Sequence, residues 1–434
     1  MAIDARAAAP MTPPPSPEND DKEVGQVQVQ LRTAANDGNT HLQRPLPHRM
    51  HANIDILDCI MAVIHLENPT RLATCGLVSR AWNSAARRKR FRTLYIDGFS
   101  HLLKVTSGLE RAPDCVSSHV RNVSLVMEPD ILESSPTASR ALLDEFSRLV
   151  GPGLLRLQID DDGWTIVESF MRHAPRLTHL YWTSFHLRPL DTPPPSPIVL
   201  DGFSRLQLLS LDIDLAAPDA FTQLNLPRLH SLIAHVHLDD PAIESHNADQ
   251  IFSSLAHACA PRVLQTLHLD SVHAGAGLAE RFLAAFTGFK SIRRLHLHLP
   301  PSDPVPSGIS RFPALTRLEL LGDLSASTLP AVLGGLPRLE RLLLHHLART
   351  RMPVDGAAWW EALPRLDSLS FCNVPKEMVG QAVSCMPRLA SLELLARHDD
   401  LEGAFEEAEL QSEPFSGLRE RGCAVSARCV LVDI

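Results

Sequence analysis

One phrase constrains this chain more than any other: Leu336-Pro337-Arg338-Leu339-Glu340-Arg341-Leu342-Leu343-Leu344, a proline followed at once by Leu-x-x-Leu-x-Leu. Close copies start at Pro175, Pro227, Pro364 and Pro387, each as Pro-Arg-Leu, and looser ones at Pro261 and Pro313. The first apolar residues of successive units are Leu154, Leu177, Leu206, Leu229, Leu264, Ile292, Leu315, Leu339, Leu366 and Leu389. Their spacings are 23, 29, 23, 35, 28, 23, 24, 27 and 23 residues. A recurrence of that span means one short strand and one helix per turn of an array, each turn covering the core of the next. Val120-x-x-Val-x-Leu125 reads as a further unit, Leu94–Ile96 as a capping strand and Val425–Val432 as the last strand, covering the open end. The 35-residue step leaves room for an insertion around Asp239–Asn247.

The segments between strands fit the helical half of such a unit. Ile166–His173, Ala248–Cys259, Leu278–Phe286, Leu329–Leu333, Ala357–Leu363 and Met378–Met386 carry apolar residues three and four apart. Several end at the repeated proline, which the sequence predicts to act as the helix stop. The core is leucine-built, because apolar residues make up 44% of the chain and aromatics only 5%.

This pattern resembles a leucine-rich-repeat array, an α/β solenoid with parallel strands on its concave face and helices outside. The usual Asn three residues after the last Leu is absent; Asp162, Phe185, Asp214, His237 and Val272 stand there instead. No unbroken Asn ladder lines the array, so the repeats are a degenerate, longer-helix type. The solenoid with its C-terminal cap is expected to span 92–434.

Two segments precede it. Residues 1–48 are rich in Pro, Asp, Asn and Gln, cannot bury enough surface to offset chain entropy, and are read as a disordered tail. Thr12-Pro-Pro-Pro-Ser-Pro17 recurs identically as Thr192-Pro-Pro-Pro-Ser-Pro197. Both copies suit polyproline-like loops with Thr-Pro and Ser-Pro pairs open to proline-directed kinases. Residues 49–91 form a small helical domain. Asn53 caps a first helix carrying Ile56, Leu57, Ile60, Val63 and Ile64, and Asn68-Pro69 starts a second with Leu72 and Cys75. A third begins near Ser79, carries Trp82 and ends in Arg87-Arg88-Lys89-Arg90. Three short helices with so little internal core call for an outside partner or a neighbouring domain.

The order Asp55-Ile-Leu-Asp-Cys-Ile60, Asn68-Pro-Thr-Arg-Leu72 and Cys75-Gly-Leu-Val-Ser-Arg-Ala-Trp82, followed by Phe91-Arg92, resembles the F-box in the form found in many fungal F-box proteins. Ala52-Asn53 stands where that family has Leu-Pro. The resemblance implies docking on a Skp-type adaptor, and through it a cullin, by Ile56, Leu57, Ile60, Leu72, Leu77, Val78 and Trp82. An F-box followed by leucine-rich repeats implies a substrate-recognition subunit of a cullin-type (SCF) ubiquitin ligase, with an unknown protein target on the repeats. The alternative is a leucine-rich-repeat binding scaffold whose F-box no longer engages the ligase.

Other function classes fare worse. No phosphate loop, nucleophile elbow or His-Glu-x-x-His occurs, so no enzyme, catalytic residue or cofactor is expected. The net charge of −9 argues against non-specific nucleic-acid binding. Eight cysteines without a Cys-x-x-Cys pair indicate neither a disulfide framework nor a zinc ribbon. No signal peptide or membrane span is read, so an intracellular site, cytoplasm or nucleus, is expected.

Between the leucines, equal positions in successive strands form columns about 4.8 Å apart. Arg294, Arg317 and Arg341 are consecutive in one, which suggests a groove for an acidic or phosphorylated partner segment, set against ordinary surface charge balanced by Glu319 and Glu340. The neighbouring columns place His268 beside His296 and Asp270 beside His298, a donor set zinc can use, although outward strand residues are often His or Asp without binding any metal, and none is assigned. Trp359-Trp360 is read as one core ring and one half-exposed ring in a helix. The basic run Arg87–Arg90 suits a helix C-terminus better than a nuclear signal. The acidic stretch Asp399–Glu409 is read as a solvated loop and helix.

Overall fold

The computed structural model describes residues 57, 60, 61, 64, 71–111, 117–127, 136–160, 164–183, 198–215, 218–237, 244–271, 277–300, 303–322, 329–345, 363–372, 386, 388–397 and 415–430. The chain divides into two units, 1–51 and 52–434, and every described residue belongs to the second. The tail, both Thr-Pro-Pro-Pro-Ser-Pro copies, Asn53, Ile56, Asn68-Pro69, Trp359-Trp360, the acidic stretch and, except for their last residues Leu363 and Met386, the helices expected over 357–363 and 378–386 lie outside the described residues.

Thirteen strands form one sheet, every neighbouring pair parallel and in strict chain order. They are β1 Thr93–Asp97, β2 Asn122–Val126, β3 Arg156–Asp160, β4 His179–Thr183, β5 Leu208–Asp214, β6 Ser231–His237 and β7 Thr266–Asp270. The series continues with β8 Arg294–His298, β9 Arg317–Leu321, β10 Arg341–His345, β11 Ser368–Cys372, β12 Ser391–Arg397 and β13 Ala424–Val430. Sequential parallel order, with one strand and one crossover of varying length per Leu-x-x-Leu-x-Leu unit, makes this a solenoid of strand-and-crossover repeats. Helices fill some crossovers, among them Trp164–His173, Glu244–Ala258 and Leu278–Ala285, and short 3-10 turns such as Pro218–Phe221 and Ser307–Arg311 fill others.

Alternation along each strand sends one face inward. Leu295 and Leu297, Leu318 and Leu320, and Leu342 and Leu344 all lie at 2% exposure or less, and the leucine that opens each unit is buried with them. These join phenylalanines of the crossovers, including Phe146, Phe170, Phe252, Phe282 and Phe286, in one core running from Ile96 to Cys423.

The repeated proline does a second job beside the one its sequence suggests. The Trp164–His173 helix stops just ahead of Pro175, with Ala174 N–H making its last bond to Phe170 C=O, whereas the Leu329–Leu333 helix ends well before Pro337. Each proline also occupies the second position of a tight turn closed by the leucine two residues later. Leu177 N–H donates to Ala174 C=O at 3.1 Å, Leu229 to Leu226 at 3.2 Å, Leu315 to Phe312 at 3.1 Å and Leu339 to Leu336 at 3.1 Å. Proline's fixed φ presets that turn position, which is why it recurs there and not inside the helix.

The turn delivers the chain into a second recurring device. The two amides at each strand entrance converge on a single carbonyl of the preceding turn. Arg293 and Arg294 donate to Gln265 C=O, Thr316 and Arg317 to Arg293 C=O, and Glu340 and Arg341 to Thr316 C=O, all at 2.8–3.0 Å. The clamp recurs from Arg92 C=O to Asp367 C=O. It satisfies both amides where the chain leaves the turn, and it fixes the register of every strand on its neighbour.

Ahead of β1 stands a smaller helical assembly with its own core of Leu57, Met61, Leu72, Ala85 and Ala86, flanked by Ile64, Cys75 and Trp82. Leu57, Ile60, Met61 and Ile64 are helical. Helices Arg71–Cys75 and Arg80–Arg90 follow, the latter capped by Ser79, whose hydroxyl accepts from Trp82 N–H at 3.3 Å. The basic run occupies its last turn, where the helix dipole favours positive charge, and Arg88 donates to Ser84 Oγ at 3.0 Å.

Candidate functional site

Two surfaces carry side chains that the core does not account for. The first lies on the helical assembly. Between Cys75 and Arg80 the chain makes a compact turn in which Leu77 N–H donates to Thr74 C=O at 3.0 Å and Val78 N–H to Cys75 C=O at 3.2 Å. That geometry pushes both side chains outward: Leu77 is 84% and Val78 65% exposed. Ile60 is 37% exposed, whereas Leu57 and Leu72 are buried in the small core and Trp82 is half-buried against it. Of the residues expected to meet an adaptor, Leu77, Val78 and Ile60 are therefore available for contact. Leu57 and Leu72 support them from below, and Ile56 lies outside the described residues. Covering a side chain of this size is worth about 1.5–3 kcal/mol.

The second surface is the outer face of the sheet from β5 to β10. Its register aligns Arg294 with Arg317 and Arg317 with Arg341. Three guanidinium groups in adjacent positions repel unless something intervenes. For the middle one, something does. Arg317 Nε donates to Glu319 Oε1 at 2.6 Å, and the same carboxylate accepts from His296 Nδ1 at 2.6 Å through Oε2. The His296 hydrogen bond does most to hold the Glu319 carboxyl at about 2, with the charges of His296 and Arg317 adding to it against the opposing effect of burial. The guanidinium groups of Arg294 and Arg341 make no hydrogen bond or ion pair among the described residues. Glu340, expected to help balance the column, does not reach Arg341.

Beside this column lies a band of imidazoles. His268 stands opposite His296 and Ile233, and Asp270 opposite His298 and His235. The His268 and His296 rings are 3.8 Å apart between centroids, and His235 and His268 5.9 Å. Burial, reinforced by the neighbouring imidazoles of His296 and His235, pushes His268 down to about 3. Asp270 sits between two imidazoles, 3.3 Å from His298 Nδ1 and 3.6 Å from His235 Nδ1. Burial alone raises its carboxyl, but the hydrogen bonds from His235 and His298 outweigh this and hold it far below the ordinary range.

The far side of His235 supplies an arrangement that the sequence did not reveal. Ser210 Oγ lies 3.2 Å from His235 Nε2, so Ser210, His235 and Asp270 stand in line across three strands. With Nδ1–H directed at Asp270, Nε2 is left to accept from the serine. The order is that of a hydrolase triad, but two features deny it that chemistry. Ser210 is only 2% exposed, and β5 is paired on both sides, so its amides are spent in the ladder and form no oxyanion hole. Ser210 and Asp270 instead fix the ring of His235. Extending the imidazole columns one strand back, from β7 to β6, is the step that finds this row in the sequence.

A metal does not fit the band. Among the described residues no group of three or more His, Cys, Asp or Glu side chains is arranged to hold an ion. Asp270 and Glu319 are engaged by imidazole N–H groups, and stacked rings at 3.8 Å do not converge their nitrogens on one point. No described helix is long and apolar enough to cross a membrane.

No protein-family model matches the chain, and no curated protein matches it. Solved structures do. A leucine-rich-repeat protein of Leptospira interrogans aligns over 76% of this chain and 99% of its own, at 13% identity and a TM-score of 0.29. An internalin of Listeria monocytogenes aligns over 74% of this chain and 83% of its own, at 11% identity and a TM-score of 0.30.

Proposed function

We propose that the chain is the substrate-recognition subunit of a cullin-type ubiquitin ligase acting inside the cell, in cytoplasm or nucleus. The helical assembly docks a Skp-type adaptor, and the outer face of the sheet holds a protein target through the column of Arg294, Arg317 and Arg341. It performs no bond chemistry; it contributes proximity and orientation. The observation that carries this reading is the exposed Leu77–Val78 pair. It sits within the F-box-like phrase Cys75–Trp82, on a module with too small a core to need those side chains itself.

The test is co-purification of the full chain with the adaptor and cullin, beside a variant carrying Leu77→Asp and Val78→Asp. Retention by the parent chain and loss by a folded variant support the reading. Failure of the parent chain to retain the adaptor overturns it. Ala52-Asn53 in place of Leu-Pro favours a second reading, a leucine-rich-repeat scaffold that uses the sheet face alone. That reading predicts target capture without adaptor.

A further inference from the structure

The basic column is not three equivalent charges, and the difference specifies what it can hold. Arg317 is tied to Glu319, which His296 holds from the other side, so its charge is answered within the protein. Arg294 and Arg341 remain, both exposed and unpaired among the described residues, one strand to either side of it. The register is continuous through β8, β9 and β10, so their Cα atoms are two strand spacings apart, about 9.6 Å at the usual 4.8 Å. Beyond them the same column continues into Thr266 on one side and Ser368 and Ser391 on the other, short and uncharged. No charged residue flanks the three arginines directly in the column; the next basic ones in it, His179 and Arg156, stand four and five strands away from Arg294.

We infer that Arg294 and Arg341 form a two-pronged site for an extended acidic segment of a partner protein, whose anionic side chains stand three residues apart. A polyproline II segment rises about 3.1 Å per residue with three residues per turn, so residues i and i+3 project from one side about 9.3 Å apart. That matches the separation of the prongs when the segment lies across the strands. Two anions on adjacent residues project to different sides of such a segment, and i and i+5 are too far apart. Each prong offers a guanidinium fork to a carboxylate or a phosphate. Glu319 acts as the negative element that keeps the middle position from accepting a third anion. This deepens the target-binding half of the proposed function and is independent of adaptor docking.

The experiment uses the purified full chain, without adaptor, and fluorescein-labelled proline-rich decapeptides at low ionic strength, read by anisotropy. The peptides carry two glutamates, or two phosphoserines, at i,i+1, at i,i+3 or at i,i+5. The i,i+3 peptides should bind at least threefold more tightly than the other spacings; the two chemistries separate a carboxylate from a phosphate target. Arg294→Gln or Arg341→Gln should each weaken that peptide about tenfold, whereas Arg317→Gln should change it less than threefold. Affinities indifferent to spacing, equal losses from all three substitutions, or no binding by any peptide would overturn the inference. A failed adaptor pull-down alongside spacing-selective peptide binding would remove the ligase reading and leave this site standing.

Discussion

Acid should destabilise this protein, and His268 should contribute a separable share of that loss. Burial between His235 and His296 lowers its pKa from 6.5 to about 3. In the unfolded chain the imidazole takes a proton below the ordinary value, while in the folded chain it stays neutral until far more acidic conditions. The unfolded state therefore binds more protons between those limits, and folding stability falls as pH drops through the unfolded pKa. The cost accumulates at about 1.4 kcal/mol per pH unit, so going from pH 7 to pH 5 removes about 2 kcal/mol. Glu319 and Asp270, held low by their imidazole partners, lose their contributions only in the carboxylate range and below, and with the same sign. His119 and His179, lowered first by burial and then by nearby arginines, share the sign as well. A comparison with His268→Gln isolates the one residue. Urea unfolding at pH 7 and pH 5, followed by circular dichroism and tryptophan fluorescence, should show the parent chain losing about 2 kcal/mol more than the variant. Proton-coupled NMR of the histidine side chains should find His268 untitrated between pH 7 and pH 5. Parallel stability losses in the two proteins, or a His268 signal titrating in that window, would falsify the burial argument.

Three substitutions probe the frame that holds the site. Leu344→Ala empties a fully buried position and should cost about 2–5 kcal/mol, whereas Leu343→Ala, on the outward side of the same strand, should cost under about 1 kcal/mol by thermal or urea unfolding. Gly322→Ala should destabilise by roughly 1–3 kcal/mol, because φ there is +127° and a Cβ would come within 2.6 Å of the Leu299 carbonyl oxygen; unchanged melting would contradict this. Asp303, buried beside the 278–285 helix, accepts from Gly277 N–H at 3.1 Å, while burial raises its carboxyl against that bond. Asp303→Ala should cost about 1–3 kcal/mol by leaving the amide unmet, and Asp303→Asn, which keeps an acceptor and removes the charge, should match or exceed the parent in stability.

The strand half of each repeat was legible because Leu-x-x-Leu-x-Leu sets period, direction and inward face at once. The pairing of Arg294, Arg317 and Arg341 followed from in-phase parallel strands, where equal positions must be neighbours. The proline's turn role was hidden because its helix-breaking effect is the stronger local rule, and only the structure shows the ring serving a turn as well. Which arginine is free could not be read either. Glu319 and Glu340 both lie close in sequence to the column, and side-chain geometry, not spacing, decides that Glu319 takes Arg317 and His296 while Glu340 takes neither. The Ser210–His235–Asp270 row was hidden by the 35-residue step between Leu229 and Leu264, which separates in sequence what the ladder sets side by side.

The paired amides that close on a single carbonyl at each strand entrance have an effect on inheritance as well as on folding. They set the spacing between strands on one side of the molecule, whatever the length of chain on the other. The step from Leu229 to Leu264 is a dozen residues longer than the commonest one, yet Ser231 still meets Thr266 in register. Insertions and deletions can therefore accumulate in the crossovers while the reading face keeps a fixed ruler. A lineage of such chains can change which anions, rings or apolar groups stand at each mark without losing the scale on which a partner is measured.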